Sequence, residues 1–343
     1  MRPNRLLLAV APVLALAACG PEDSPSPHVN VETAPLTGQF SVTSQFEVPA
    51  TVAAPGPLGD ALRLVHGLSV NPGAALLDFA EDAGVPALSE LRLVLPDPVE
   101  AELTGWMNAY LFTAVVDGVS PHDEIVALDD LIRSVLLEWE LRSTLVLPAD
   151  GDGGTHAPVS LAFSSPAGPV EVPLEPTAPV TSGVGVAATV SWPGGPEGAA
   201  IATLGDHAMG LPFGRYALRA LKSILQAQYG KADVAAFLSA AVGCPALAAS
   251  VASRCVGFAC VGHESDLLAI CEGGVAEGAR QIEGQILGLD FEAIHFERGT
   301  ATAVGATLSP ARDATSLQDG VWTATIDVGN GPEAATATFS AVR

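Results

Sequence analysis

The chain has 343 residues, and its 38 acidic side chains outnumber its 15 lysines and arginines, which gives a net charge of −23 at pH 7. This charge would repel phosphate backbones and no basic stripe interrupts it, so the composition excludes a nucleic-acid partner. Because 49% of the residues are hydrophobic and only 15% are charged, the composition also excludes a largely disordered chain.

Residues 1–18 have the composition of an export signal. Arg2 and Arg5 precede an apolar run over residues 6–17, which is shorter than the roughly 20 residues that a membrane-spanning helix needs. Small residues end this run, so we expect cleavage just before Cys19. The mature chain would then begin with a cysteine.

The four residues Leu16-Ala17-Ala18-Cys19 resemble the lipobox of bacterial cell-envelope lipoproteins. The resemblance implies a diacylglyceryl thioether on the Cys19 sulfur and acylation of the freed amino group, and several acyl chains together anchor a protein durably to a membrane. Gly20 stands where enteric bacteria place the aspartate that retains lipoproteins in the inner membrane, so the resemblance implies the outer membrane. The alternative is an ordinary secretory signal with an incidental cysteine.

Residues 19–37 are rich in proline, serine and acidic side chains and lack periodicity, which predicts a flexible tether. We expect a single domain over residues 38–343. It opens with apolar residues that alternate from Phe40 to Val48, the period of a strand with one buried face. Helical patterns with capping signals follow over residues 57–139, and the last of these helices is expected to include Trp139.

Strand-like alternation returns over residues 141–204, where Val159 and Phe163 are expected on one buried face. Residues 212–287 again have helical spacing, and strands follow from residue 291 onward. Since strands flank both helical blocks, the sequence predicts an α+β fold in which two helical insertions interrupt one antiparallel sheet. The sheet would be covered by the helices or curled into a partly closed barrel, and its first and last strands are expected to pair.

Four cysteines remain after Cys19, and an even number in an exported chain favours disulfides. The pairs Cys244/Cys271 and Cys255/Cys260 share one midpoint, as paired positions do in an antiparallel hairpin. We therefore favour these two nested bridges among the three possible connectivities. The alternative is a zinc site formed by Cys255, Cys260 and nearby His263, although this spacing is wider than a tight Cys-x-x-Cys knuckle.

Residues 205–214 contain the densest run of turn-forming and polar residues between two elements. His207 is a candidate general base beside Asp206, with Arg215 and Tyr216 at the start of the next helix. The alternative, which we favour, is a strand-to-helix turn in which Asp206 caps backbone amides and His207 is a satisfied polar residue. No nucleophile, metal-ligand or phosphate-binding motif accompanies the segment.

Two further groups are weaker candidates. Asp150 and Asp152 lie two residues apart, as at the start of many calcium loops, but no further acidic ligand follows at the required spacing, which favours a hairpin turn. Trp106, Tyr110 and Phe112 share one helical stretch and would line an apolar cavity or pack in the core, and core packing is the commoner use. The sequence predicts no cofactor.

Three functional hypotheses follow. The first is a membrane-anchored, non-catalytic lipoprotein that binds an apolar or lipid-like small molecule or has a structural role. The second is an exported hydrolase that uses Asp206 and His207, which requires a nucleophile or metal ligands to converge on His207. The third is a surface adhesion or scaffold module, whose marker would be a large exposed apolar patch.

Overall fold

The computed structural model describes residues 32–343 except for the segments 49, 51–54, 95–96, 116–117, 150–152, 176–185, 194–198, 257–258, 261–262, 290, 307–313 and 328–331. The predicted signal peptide and the lipobox-like residues 16–19 lie outside the described residues. The calcium candidates Asp150 and Asp152 lie outside them as well.

The strands, in chain order, are β1 (Glu32–Pro35), β2 (Gly38–Glu47), β3 (Glu138–Leu147), β4 (Thr155–Phe163), β5 (Val170–Pro173), β6 (Ala188–Trp192), β7 (Ile201–Leu204), β8 (His207–Leu211), β9 (Cys255–Val256), β10 (Ala259–Cys260), β11 (Phe291–Val304), β12 (Ser316–Asp327) and β13 (Pro332–Val342). Within the described residues, eleven of these strands form one antiparallel sheet in the order β1-β6-β7-β11-β12-β13-β2-β3-β4-β5, with β8 also paired to β11. Strands β9 and β10 form a separate two-stranded ladder.

The sheet is curled into an open half-barrel. Gly154, just before β4, forms an isolated antiparallel bridge with Val186, just before β6. Strands β4 and β6 stand near opposite ends of the strand order, so this bridge requires the sheet to bend round on itself. Strand β13 pairs with β2, the strand that the sequence analysis expected to be the first, which confirms the predicted pairing of that strand with the last one. The predicted α+β fold with a partly closed barrel is confirmed.

The helices form two insertions between strands of this sheet, as predicted. The first insertion, between β2 and β3, contains α1 (Gly56–Val70), α2 (Pro72–Asp82), α3 (Pro86–Val94), α4 (Asp97–Thr113) and α5 (Pro121–Leu137). The second, between β8 and β11, contains α6 (Phe213–Tyr229), α7 (Val234–Val242), α8 (Cys244–Ala252) and α9 (Glu264–Leu287). Helix α9 packs against α2, α7 and α8, so the two insertions share one helical layer.

Strand β1 begins inside the stretch predicted as a tether. Its four residues pair with β6, and the Leu36 amide donates to the Ala188 carbonyl at 3.0 Å. Ala34 and Leu36 are both buried. The ordered part of the chain therefore starts earlier than the composition indicates. Two buried apolar residues, one in this short edge strand and one directly after it, are too few to produce a recognisable strand period in the sequence.

Trp139 was predicted on the last helix of the first insertion, and this prediction is wrong. Helix α5 ends at Leu137 and β3 begins at the next residue. The indole of Trp139 stacks on its cross-strand partner Phe46 with ring centroids 4.3 Å apart, and it also contacts Phe213 of α6. A short apolar run satisfies both helical and strand periods, and here the pairing with β2 decides between them.

Helices α7 and α8 include an apolar segment, Val234–Ala252, that is long enough to cross a membrane by length and composition alone. Half of this segment is buried against the rest of the protein. The chain changes direction at Gly243, which has a φ of 63° and separates the two helices. The segment therefore consists of two core helices of the second insertion.

Candidate functional site

Three polar side chains from three strands meet inside the half-barrel. Ser143 lies on β3, His156 on β4 and His207 on β8, and each is less than a tenth exposed. Ser143 Oγ lies 2.7 Å from His156 Nε2, and His156 Nδ1 lies 2.8 Å from His207 Nε2. His207 Nδ1 lies 3.0 Å from the Gly205 carbonyl oxygen. These groups form one continuous chain of hydrogen bonds, which we call the Ser–His–His chain.

The Gly205 carbonyl at one end of the Ser–His–His chain determines the direction of every hydrogen bond in it. A carbonyl oxygen only accepts, so His207 carries its proton on Nδ1 and, when neutral, accepts at Nε2. His156 must then donate from Nδ1 and accept at Nε2. Ser143 therefore donates its hydroxyl proton to His156.

Burial keeps both imidazoles neutral. It lowers the pKa of His156 to about 3, with the neighbouring His207 as a second cause. Burial also lowers the pKa of His207, against the opposing effects of the Gly205 carbonyl and the Asp206 carboxylate. The ring of Phe296 stacks on His207 at 4.7 Å and Trp322 lies edge-on at 5.5 Å, so apolar surface replaces water around the pair.

A β-bulge in β4 turns His156 into the barrel. Ser143 is the partner of Pro158, whereas Arg142 is the partner of Ser160, so Val159 has no partner on β3. The extra residue reverses which alternate positions face inward. Val159 was predicted on the buried face, and it is instead 50% exposed.

Of the Asp206/His207 pair predicted as a weak catalytic candidate, the structure connects His207 through His156 to the Ser143 hydroxyl and leaves Asp206 outside this arrangement. Asp206 is exposed, and within the described residues it makes no hydrogen bond. His207 lies on a strand, not in a strand-to-helix turn, and it is a satisfied polar residue. Its partners Ser143 and His156 were missed, because strict alternation through β4 places His156 on the outer face. Tyr216, predicted near His207, is buried and its hydroxyl accepts from the Glu175 amide.

A second candidate site is a cleft of about 420 Å³ between α5, the end of α6 and the turn after β4. We call it the α5–α6 cleft. Its apolar surface comes mainly from Ala127, Leu131 and Pro166, and its polar lining includes Gln228 and Tyr229. Clefts of this size and apolar character are typical of small-molecule sites.

Gln228 is the unusual residue of the α5–α6 cleft. Its Nε2 atom is buried and has no hydrogen-bond partner within the described residues. Such a buried donor costs about 1–3 kcal/mol relative to a satisfied one. A residue that lines the cleft therefore carries a buried and unused amide donor.

The opposite side of α6 carries a more open groove of about 710 Å³ with basic residues along it. Lys222 is paired with Glu283 at 2.7 Å, and the exposed Arg215 lies 3.9 Å from the carboxylate of Glu175. Arg219 lies over the Tyr216 ring. Neighbouring acids thus compensate most of the positive charge that this helix face presents.

The aromatic residues of α4 divide between core and surface. Trp106 and Tyr110 are partly buried against the core, whereas Phe112 is 43% exposed and contacts the His122 ring. Val115 and Val119 nearby are also exposed. The hypothesis of a surface adhesion or scaffold module, which needs such a patch, stays a prediction.

The cysteine predictions are confirmed for one bridge. Cys244 and Cys271 are joined by a disulfide that links α8 to α9, the two arms of the predicted hairpin. Cys255 and Cys260 are partners in the β9–β10 ladder, and Cys255 is disulfide-bonded. The side chain of Cys260 lies outside the described residues, so the second bridge stays a prediction. Among the described residues no cluster of three or more His, Cys, Asp or Glu side chains is placed to hold a metal ion.

A comparison with models of protein families, with curated proteins and with solved structures finds no match to this chain. The function must therefore be argued from the chemistry of these sites.

Proposed function

We propose that this protein is a lipid-anchored lipoprotein of the cell envelope whose folded body binds an apolar, lipid-like small molecule without transforming it. The α5–α6 cleft is the observation that carries this proposal. It lies where both helical insertions meet the end of β4, and it combines apolar walls with an unused hydrogen-bond donor. A site of this kind favours an amphiphile over a fully polar solute.

The anchor is the second part of the proposal and rests on the N-terminal sequence. The lipobox ending at Cys19 implies attached acyl chains, and Gly20 implies the outer membrane. Acyl chains would hold the body beside a lipid surface, where lipid-like molecules are available. The membrane, through the lipid on Cys19, and an apolar small molecule are thus the partners we propose.

Detergent partitioning tests the anchor. We expect the wild-type protein to enter the detergent phase and the Cys19→Ser chain to stay in the aqueous phase, since serine cannot form the thioether. Equal partitioning of both proteins would show that the anchor lies elsewhere.

Titration with the neutral apolar fluorophore N-phenyl-1-naphthylamine tests the cleft. We expect saturable binding to the unlipidated Cys19→Ser chain and its loss in Ala127→Phe, which fills the cleft from α5. The matched control is Ala227→Phe, which adds the same ring at an exposed position on the other side of α6. Binding that survives Ala127→Phe would place the ligand elsewhere.

An exported hydrolase is the second candidate function, and the Ser–His–His chain is the observation that favours it. Ser143 donates to His156 at 2.7 Å, and His207 holds the His156 ring from the other side. In this role Ser143 Oγ would bond to an ester carbonyl carbon, its proton would pass to His156 Nε2 and then to the departing alcohol, and water would release the acyl group. Ser143 is only 3% exposed, so a substrate has to open the barrel, and this places the hydrolase second.

Fluorophosphonate labelling separates the two functions. A hydrolase would be labelled at Ser143, would cleave p-nitrophenyl esters, and would lose both properties in Ser143→Ala. The control is Ser44→Ala, because Ser44 is a fully buried serine on the adjacent strand. Absence of labelling together with saturable fluorophore binding would support the binding function.

A further inference from the structure

We infer that the α5–α6 cleft selects a neutral amphiphile, one with an apolar chain and an ester or amide carbonyl in its head group, over an anionic one. This inference rests on the proposed function and specifies its ligand. It is carried by the donors and charges that line the cleft.

Several polar groups of the cleft can donate a hydrogen bond to a ligand. Gln228 Nε2 is buried and unpaired within the described residues. Ser134, Ser164 and Tyr229, whose hydroxyls can also donate, line the cleft as well. A ligand carbonyl oxygen would accept from the Gln228 amide once this side chain turns into the cleft, and the new hydrogen bond would remove the cost of the unpaired amide.

The charges of the cleft disfavour an anion. Among the described residues that line it, the charged side chain is the exposed carboxylate of Asp130, and no lysine, arginine or histidine is present. A fatty-acid carboxylate would lose hydration in the cleft and find no cation to compensate it. The net charge of −23 adds an unfavourable long-range term.

A cationic head group is also excluded as the preferred one. The exposed Asp130 attracts a cation only weakly in water. A quaternary ammonium offers no acceptor to Gln228, whose donor would stay unpaired. The neutral carbonyl compound is the class that uses both features of the cleft.

Three probes with one alkyl chain test the inference on the full Cys19→Ser chain, below their micelle concentrations. These are glycerol monododecanoate, dodecanoate and dodecyltrimethylammonium, each competing with N-phenyl-1-naphthylamine. We expect the glycerol ester to bind about tenfold or more tightly than dodecanoate. Equal or tighter binding of dodecanoate would overturn the inference and leave the proposed function intact. If neither the fluorophore nor any of the three probes binds, the proposed function itself is overturned.

Gln228→Leu isolates the donor. We expect this variant to lose about tenfold in affinity for the glycerol ester and to bind dodecyltrimethylammonium as the parent chain does. The control Gln226→Leu changes an exposed glutamine on the same helix and should alter neither affinity. Because Gln228→Leu removes an unpaired buried amide, we expect its melting temperature to equal or exceed that of the parent, which distinguishes lost recognition from lost folding. An unchanged affinity for the glycerol ester in a folded Gln228→Leu chain would contradict the role of the donor.

Discussion

His156 donates from Nδ1 to Nε2 of His207 across 2.8 Å, although 51 residues separate them in the chain. The contact joins β4 to β8, and it places two neutral imidazoles inside the half-barrel. While His156 carries its proton on Nδ1, protonation of His207 at Nε2 would set two N–H groups against each other. With this tautomer of His156, the hydrogen bond between the two rings requires a neutral His207.

We predict that the free energy of unfolding falls as the pH falls below about 6.5. Both histidines have lowered pKa values in the folded protein, about 3 for His156, whereas the unfolded chain binds protons near pH 6.5. The stabilisation is thus complete above the unfolded pKa and is lost as the pH falls from there toward the folded pKa. Urea unfolding at a series of pH values from 8 to 5 measures this loss of unfolding free energy.

The variant His207→Gln isolates this effect. Removing one titrating group should reduce the slope of the unfolding free energy against pH by up to about 1.4 kcal/mol per pH unit. The control His295→Gln changes an exposed histidine on β11 and should leave the slope unchanged. A slope that is the same in His207→Gln and wild type would refute the assignment.

A second prediction concerns the close contact of α2 with α9. A Cβ on Gly274 would overlap the Leu76 carbonyl oxygen, whereas a Cβ on Gly284 of the same helix meets nothing within 4 Å. Gly274→Ala should therefore destabilise the protein by about 1–3 kcal/mol. Gly284→Ala should stabilise it by about 0.5–1 kcal/mol, since alanine favours the helix. Chemical denaturation of both variants checks the pair, and similar effects at the two positions would contradict the packing argument.

The third prediction concerns the disulfide between Cys244 and Cys271, which are 27 residues apart. In the chain-entropy model a bridge across a loop of this size contributes about 3–4 kcal/mol. The double variant Cys244→Ser/Cys271→Ser should then melt on the order of 10 °C lower than wild type. Calorimetry with and without reductant measures the difference. A double variant that melts at the same temperature as the oxidised wild type would contradict the prediction.

The fourth prediction concerns the buried carboxylate that joins α1 to α5. Asp129 accepts from Ser69 Oγ at 2.9 Å and from Arg133 Nε at 2.8 Å. Asp129→Asn weakens both hydrogen bonds and should cost about 1–3 kcal/mol. The adjacent, exposed Asp130 provides the control, because Asp130→Asn should change the unfolding free energy by less than about 0.5 kcal/mol. Comparable losses in the two variants would show that burial of Asp129 is not the cause.

The candidate sites were only partly predictable. His207 was identified as a polar residue between two elements, but its partners lie on β3 and β4 and carry no local motif. Gln228 has no sequence signal, since a glutamine near the end of a helix is ordinary. Its significance comes from the residues of α5 and the turn after β4 that surround it.

Local order along the chain was determined by the sequence itself. Alternation and helical spacing predicted one antiparallel sheet with two helical insertions, and the shared midpoint of the cysteine pairs predicted the bridge from Cys244 to Cys271. These features depend on residues close in sequence or on simple symmetry, so one-dimensional patterns contain them. Tertiary structure alone decided that Trp139 belongs to a strand and that His156 faces inward. Helix α5 passes directly into strand β3, and a single bulge at Val159 interrupts β4. Each of these changes alters which side chains face the core, and only the pairing with a neighbouring strand reveals it.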